Sequence, residues 1–157
     1  MSDLLQKQYD LIRQTRQSLF AFLESLPLEA LHTEISGFGN GTIARTHLHM
    51  AGCYIYWLVG FAQIRSKPRF PTSEEISTAD VAIIRHWFLE SDAVVAEFLA
   101  AYGRRSADLI YNKEKGPIGH TPLWLMTHTM THEFHHKGQI VMLARQLGYT
   151  PPDTDLV

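Results

Sequence analysis

The feature that most constrains the fold is a long helical pattern near the end of the chain, in which histidines occupy the apolar side. Thr121-Pro122, a helix cap followed by a proline at the first helical position, begins this pattern, and Gly148 ends it. At about 100° per residue, five side chains lie within roughly 40° of one line: Leu125, His132, His136, Leu143 and Leu147. Two imidazoles therefore share the stripe that faces the core.

Histidines four residues apart on one helical face can direct their rings at one metal ion. A single core histidine is more often a hydrogen-bonded structural residue, so the pair carries the argument. His132 and His136 have the spacing at which two ring nitrogens can reach one ion at about 2.0–2.1 Å. The sequence predicts a metal site here, with a third ligand from elsewhere in the chain. A structural histidine cluster is the alternative.

Three further helical patterns precede this one. They cover residues 2–26, about 42–65 and 79–102. The third predicted helix begins near Ser77 and Asp80, which are spaced like a capping box. The segment before the last helix is expected to be irregular, with a short extended piece at Leu109–Tyr111.

Four helices of similar length predict an all-α fold, a four-helix bundle that forms a single domain over residues 1–157. The second connection, of about 13 residues, can span about 45 Å when extended, whereas a 23-residue helix is about 35 Å long. The second and third helices can therefore run parallel, joined by a long crossover. The length permits this topology without requiring it.

The second predicted helix offers two histidines that point in different directions. His47 and His49 are two residues apart, which separates them by about 160° around the helix, so at most one can join the pair. Small or polar residues surround His49, namely Gly52, Cys53, Gly60 and Gln63. A helix face that carries small or polar side chains leaves space for a cavity, so His49 is favoured over His47 as the third ligand. His86 and His120 are further alternatives, and His32 is expected in a surface loop.

Two motifs resemble those of the DinB-like family of metalloproteins. The segment His49–Trp57, with a histidine eight residues before a tryptophan, resembles that family's second helix, and His132–Ile140 resembles its last helix. The resemblance implies a four-helix bundle with the order up-down-down-up and one divalent metal bound through three histidines. Matched residue by residue, those ligands are His49, His132 and His136.

Three imidazoles with an open position describe a catalytic type of metal site. The resemblance implies zinc or nickel, with manganese or iron as alternatives. Some members of that family are transferases that use a low-molecular-weight thiol as cosubstrate. The sequence is therefore interpreted as a metal-dependent thiol transferase that acts on a small molecule. A non-enzymatic metal-binding module of the stress response is the alternative, so whether the protein is an enzyme stays open.

The last helix also contains the metalloprotease pattern H-E-x-x-H, in which the glutamate is the general base. Such enzymes need a downstream third ligand, and the carboxylates that follow His136 are Asp153 and Asp155 in the tail. A metal-dependent hydrolase with Glu133 as base is therefore the weaker hypothesis.

Several other residues are candidates beside the three ligands. Glu133 and Cys53 are weak catalytic candidates, because the first is more readily explained by a salt bridge and the second by packing. The candidates for orienting a ligand or lining a substrate pocket are His128, His135, Gln139 and Tyr56.

Charge and hydropathy argue against other classes of function. The net charge is −2 and the basic residues are scattered along the sequence, so no positively charged patch for binding nucleic acid is expected. No apolar run has the length of a membrane span, and the first residues lack the apolar region of a signal peptide. Cys53 is the single cysteine, so a reducing cytoplasm is expected. Apolar residues in the second and third helices are compatible with a homodimer.

Overall fold

The structure is a computed structural model that describes residues 2–105, 107–112, 114 and 116–156. Its helices in chain order are α1 (Ser2–Glu24), α2 (Leu28–His32), α3 (Ile43–Tyr54, extended by a π-helical segment at Ile55–Phe61), α4 (Ser73–Thr78), α5 (Val81–Tyr102) and α6 (Pro122–Gln146). The four long ones are α1, α3 with its extension, α5 and α6. The all-α bundle predicted from periodicity is confirmed.

Ion pairs show that α1 and α5 run antiparallel. Glu24, at the end of α1, accepts a hydrogen bond of 2.9 Å from Arg85 near the start of α5. Arg13, in the middle of α1, pairs with Asp92 in the middle of α5 at 3.1 Å. Residue numbers thus fall along α5 as they rise along α1.

Hydrogen bonds to backbone carbonyls show that α3 and α5 run parallel. The Ser91 hydroxyl donates to the carbonyl of Ala51 at 3.3 Å. Farther along both helices, the Tyr102 hydroxyl donates a hydrogen bond to the carbonyl of Ala62, also at 3.3 Å. Residue numbers rise together on the two helices, so the connection that contains α4 is a crossover along the bundle.

Ring contacts show that α6 runs antiparallel to α3. The rings of His49 and His136 have centroids 4.7 Å apart, and those of Trp57 and Trp124 have centroids 5.3 Å apart. With α1 taken as up, α3 and α5 are down and α6 is up. The expected order up-down-down-up is confirmed, and it brings α3 and α6 into direct contact.

Side-chain caps begin three of the long helices. They are Thr42, Asp80 and Thr121, each of which accepts a hydrogen bond of 2.8 to 3.1 Å from the backbone N–H three residues later. The capping box predicted at Ser77 and Asp80 is wrong, because Asp80 itself caps α5. The capping box instead joins Thr72 and Glu75 at the start of α4.

The predicted second helix changes geometry halfway along its length. Regular α-helix ends at Tyr54, and a π-helical segment continues to Phe61. The helix thus ends at Phe61, before the predicted boundary at about 65, and Gln63 then adopts a left-handed backbone with φ of 56°. π-Helical turns often lie at functional sites because they shift side chains relative to a regular helix. Here the turn contains Tyr56 and Trp57.

The short elements lie in the predicted connections. Neither α2 nor α4 was expected, because helices of five and six residues are too short to show a periodic pattern. Ile110 and His120 exchange backbone hydrogen bonds of 2.9 and 3.0 Å, which agrees with the extended piece expected at Leu109–Tyr111. Among the described residues, no helix is both long enough and apolar enough to cross a membrane.

Candidate metal centre

Three histidines converge where α3 meets α6. One ring nitrogen from each of His49, His132 and His136 lies within 4.8 Å of the others. The ring centroids are 4.9 Å apart for His49 and His132, and 4.3 Å apart for His132 and His136. A group with these separations could hold one metal ion.

Helix geometry explains how the group forms. His132 and His136 are one turn apart on α6, and their Nε2 atoms lie 3.1 Å from each other. His49 comes from the antiparallel helix α3, so its ring approaches from the opposite side. His49 is solvent-exposed, whereas His136 is only 8% exposed. The group therefore has a buried side and an open side.

Partial desolvation favours the neutral form of the three imidazole rings, including that of His49, although His49 as a whole residue is exposed. Desolvation lowers the pKa of His49 and His136, and it lowers the pKa of His132 to about 4, with a smaller contribution from His136. A neutral imidazole has a free lone pair on one nitrogen, which is the form that binds a metal. At neutral pH the group is thus ready to bind a cation without first losing protons.

Gln139 determines which nitrogen of His136 faces the group. The Nδ1–H of His136 donates to Oε1 of Gln139 at 2.6 Å, which leaves the lone pair on Nε2, the atom that faces His132. The Gln139 amide in turn donates to Nε2 of His135 at 3.1 Å. His135 is exposed and stands outside the group, so Gln139 and His135 lie around the ligands and not among them.

The donor set fits a divalent transition metal. Imidazole nitrogens are ligands for several divalent transition metals, and the open side leaves room for a further ligand. Nδ1 of His132 is buried and has no hydrogen-bond partner within the described part of the chain. This nitrogen is not the one that faces His136, so an ion bound by the Nε2 atoms would leave it unpaired, and the donor set alone supports a metal at this site.

His47 lies on the other side of α3, inside the core. Its Nδ1 is 3.0 Å from the carbonyl of Ile43, and its ring packs between Phe20 and Phe88. Burial lowers the pKa of His47 to about 4. Of the two histidines on this helix, His49 is the one that lies with the α6 pair.

The remaining histidines lie outside the group. His120 stacks on Trp124 with centroids 3.8 Å apart, and His86 is exposed on α5. The expectation that His32 lies in a surface loop is wrong. It ends α2, is half-buried and has its Nε2 2.9 Å from the carbonyl of Ala79.

His128 lies one turn before His132 and belongs to an aromatic stack. Its ring is parallel to that of Trp124, with centroids 4.9 Å apart, and the edge of Trp57 approaches to the same distance. The centroid of His128 is 6.0 Å from that of His132. His128 therefore lies next to the three-histidine group, on the side of His132.

The Glu133 carboxylate is wholly buried and saturated with donors from other residues. Arg16 donates to both of its oxygens, at 2.7 and 2.8 Å, and the Tyr54 hydroxyl donates at 2.7 Å. Lys137 lies 4.0 Å away and donates to Thr15. Burial lowers the pKa of Lys137 to about 8. Glu133 is thus part of an inter-helix ion network between α1, α3 and α6.

A salt bridge was expected for Glu133, but its partner Arg16 was not predicted, although the sequence contains a signal for it. Arg16 lies on the same helical stripe as Ile12, Leu19 and Leu23, which are all buried. A charged residue in the middle of an apolar stripe needs a buried partner of opposite charge. The apolar stripe of α6 does not identify Glu133 as that partner, so only the packing of α1 on α6 reveals it.

A pocket of about 430 Å³ opens beside the three histidines. His49 and His132 form part of its wall, together with Cys53, Tyr56 and Trp57. Cys53 is 7% exposed, and burial raises the pKa of its thiol to about 12. The volume is in the range of small-molecule sites, so a ligand in this pocket would lie next to the histidines.

Comparison with known proteins extends over the whole chain. A sequence model described as "DinB family" matches residues 1–157. The protein named "Protein DinB" from Bacillus subtilis (strain 168) is 26% identical over 161 residues, which cover 99% of this chain and 92% of that protein. Both matches include the α3 and α6 segments that carry the three histidines.

Proposed function

This chain belongs to the DinB family, and on that premise we propose that it is a metal-dependent enzyme, a transferase that acts through a low-molecular-weight thiol. One observation carries the proposal: three histidines converge, and two of them, His49 and His132, form part of the wall of a pocket of about 430 Å³. A structural cluster would need no such pocket, whereas a catalytic site needs both ligands and space for a substrate.

The proposed ligands are His49, His132 and His136, and the expected metal is zinc or nickel, with manganese or iron as alternatives. When bound, a divalent ion supplies a Lewis acid that favours the thiolate form of a coordinated thiol. Gln139 holds the proton of His136 on Nδ1, away from the group. Trp57 forms part of the pocket wall beside His49 and His132.

A cosubstrate thiol is needed because the protein's own thiol is a poor nucleophile. Cys53 is buried and its pKa is raised to about 12, so it is almost entirely protonated at neutral pH. The same pocket wall contains no other cysteine, because Cys53 is the single cysteine of the chain. A thiol that enters from solution supplies the nucleophile and is consumed in the transfer.

The ion network of Glu133 disfavours the hydrolase hypothesis. A general base must present a free carboxylate oxygen to a water molecule at the metal. Both oxygens of Glu133 accept hydrogen bonds from Arg16, and one also accepts from Tyr54. The transferase therefore fits the arrangement better than an H-E-x-x-H hydrolase.

Elemental analysis of untagged protein, purified without chelator, tests the metal. We expect about one divalent ion per chain in the wild type and in His86→Ala, whose exposed histidine lies outside the group, and a loss of most metal in His132→Ala. Absence of metal from the wild type, before and after reconstitution, would contradict the proposal.

A thiol panel then tests the reaction. Cysteine, glutathione and coenzyme A are each incubated with 1-chloro-2,4-dinitrobenzene, and we expect metal-dependent turnover with at least one of them. Metal binding without turnover of any thiol would instead support a non-enzymatic metal-binding module. In that case metal removal lowers the melting temperature and changes nothing else.

A further inference from the structure

The pocket beside the histidines has an uneven distribution of charge. Among the described residues of its wall, Arg45 is the one with a permanent charge, and no aspartate or glutamate is present. The pocket is therefore electropositive, which favours anionic ligands over cationic ones.

Arg45 is free to bind an anion. Its guanidinium donates a long hydrogen bond of 3.5 Å to the neutral carbonyl of Asn40 and, within the described part of the chain, has no carboxylate partner. By contrast, Arg16 donates to carboxylates at 2.6 to 2.8 Å. Arg45 is exposed, so its charge is hydrated and can bind a ligand at little cost.

Helix geometry connects Arg45 to the candidate metal centre. Arg45 and His49 are four residues apart on α3, so their side chains lie on the same helical face. Both line the same pocket. A ligand held by Arg45 at one end can therefore present its other end to the histidines.

Most of the remaining wall is apolar. This apolar part is formed by Leu48, Trp57, Phe70, Pro71 and Ile76. Phe70 and Pro71 come from the crossover before α4, so this part of the wall exists only because the crossover folds back against α3. Aromatic and aliphatic walls of this kind bind apolar ligand bodies, while a small number of polar groups set their orientation.

We propose that the pocket binds a substrate with an apolar body and a carboxylate, and that Arg45 is the residue that selects for the carboxylate. The guanidinium binds the carboxylate through two parallel hydrogen bonds, and the reacting end of the substrate lies toward His49 and His132. The orientation of the reacting end rests on the proposed function. Recognition of the carboxylate by Arg45 does not, because it needs no metal.

Binding of a matched pair of probes tests the proposal. The probes are 4-phenylbutyrate and its neutral amide, 4-phenylbutanamide, titrated calorimetrically into the full-length protein with and without metal. We expect the wild type to prefer the carboxylate about 5- to 20-fold in both forms, as for a charge-assisted hydrogen-bonded pair near the surface. Arg45→Gln should remove the preference, and Arg45→Lys should restore part of it.

Arg145→Gln is the control, because Arg145 is also an exposed arginine but lies outside the wall of the pocket. It should behave as the wild type. The proposal is overturned if neither probe binds at millimolar concentration, if both bind equally, or if metal-free Arg45→Gln keeps the preference.

The same titrations separate this proposal from the proposed function. A preference that needs metal and survives Arg45→Gln means that the carboxylate binds the ion, which overturns the role of Arg45 and supports the metal centre. A protein that contains no metal but prefers the carboxylate through Arg45 refutes the metal-dependent function and supports the binding site.

Discussion

At the scale of single residues, Gln139 determines which ring nitrogen of His136 carries the proton. Its amide oxygen accepts a hydrogen bond from His136 at 2.6 Å, and its amide N–H donates one to His135 at 3.1 Å. Gly39, in the loop before α3, approaches so closely that a Cβ atom there would lie 3.5 Å from the Gln139 amide oxygen. The loop therefore packs against the residue that orients a candidate ligand.

Gln139→Leu should weaken metal binding without unfolding the protein. Leucine has nearly the same size but cannot accept the hydrogen bond from Nδ1–H of His136, so the ring loses its fixed tautomer. We expect zinc affinity to fall about 10-fold, measured by competition with a fluorescent chelator. Gln146→Leu, an exposed glutamine at the end of α6, is the control and should change nothing. Equal affinity in both variants would refute the role of Gln139.

The Cys53 thiol should be nearly inert in the folded protein. With its pKa raised to about 12, the thiolate fraction at pH 8 is on the order of 10⁻⁴, compared with roughly a tenth for a free cysteine. Alkylation by iodoacetamide should be at least about 100-fold slower than for glutathione. The rate should rise about tenfold per pH unit up to pH 10 without levelling off.

Urea supplies the control for Cys53, since unfolding removes the burial that raises the pKa. Mass spectrometry should then show full alkylation at the rate of a free cysteine. Fast modification of the folded protein at pH 8 would mean that the pKa of the Cys53 thiol is not raised. Cys53 would then again be a candidate catalytic nucleophile.

At the scale of helices, a buried ion network fixes how α6 is rotated against α1. Arg16 is 3% exposed and Glu133 is fully buried, and the pair joins residues 117 positions apart in the chain. Glu133 directly follows His132, and Tyr54 of α3 also donates to it. The network therefore holds α1, α3 and α6 in the rotation that turns His132 and His136 toward α3.

Breaking this pair on one side should destabilise the protein strongly. Arg16→Met or Glu133→Leu leaves a buried charge without its main partner, which costs about 3–5 kcal/mol in the free energy of unfolding. The double variant should cost less than the sum, because neither charge then stays behind. Urea unfolding of the four proteins measures the coupling. Additive effects would mean that the two side chains do not stabilise each other.

At the scale of the whole molecule, the candidate metal centre joins helices that are distant in the sequence. His49 belongs to α3, whereas His132 and His136 belong to α6, the last helix of the chain. The unfolded chain does not hold these residues together. A metal that binds them binds the folded state and must stabilise it.

Metal loading should therefore raise the melting temperature of the whole domain. Free zinc at about 100 times its dissociation constant stabilises the folded state by about 2.7 kcal/mol. For a domain of this size that corresponds to roughly 5–11 °C. Calorimetry with zinc and after EDTA measures the shift, and His132→Ala should show almost none. A shift of the same size in that variant would place the bound metal elsewhere.

Local spacing in the sequence was sufficient for the helices and for two of the three histidines. Thr121-Pro122 and the apolar stripe define α6 because capping and helical periodicity involve residues within one or two turns. The same periodicity places His132 and His136 on one face. It also separates His47 from His49, since two residues on one helix cannot share a direction.

Only the tertiary structure decided which groups meet across helices. The Arg16–Glu133 pair and the place of Phe70 in the pocket wall beside His132 both depend on segments far apart in the chain. No local pattern encodes such contacts, because their energies come from burial between elements and exist only after the elements have packed. The sequence therefore determined where histidines could face inward, and packing decided that His49 joins them beside a pocket.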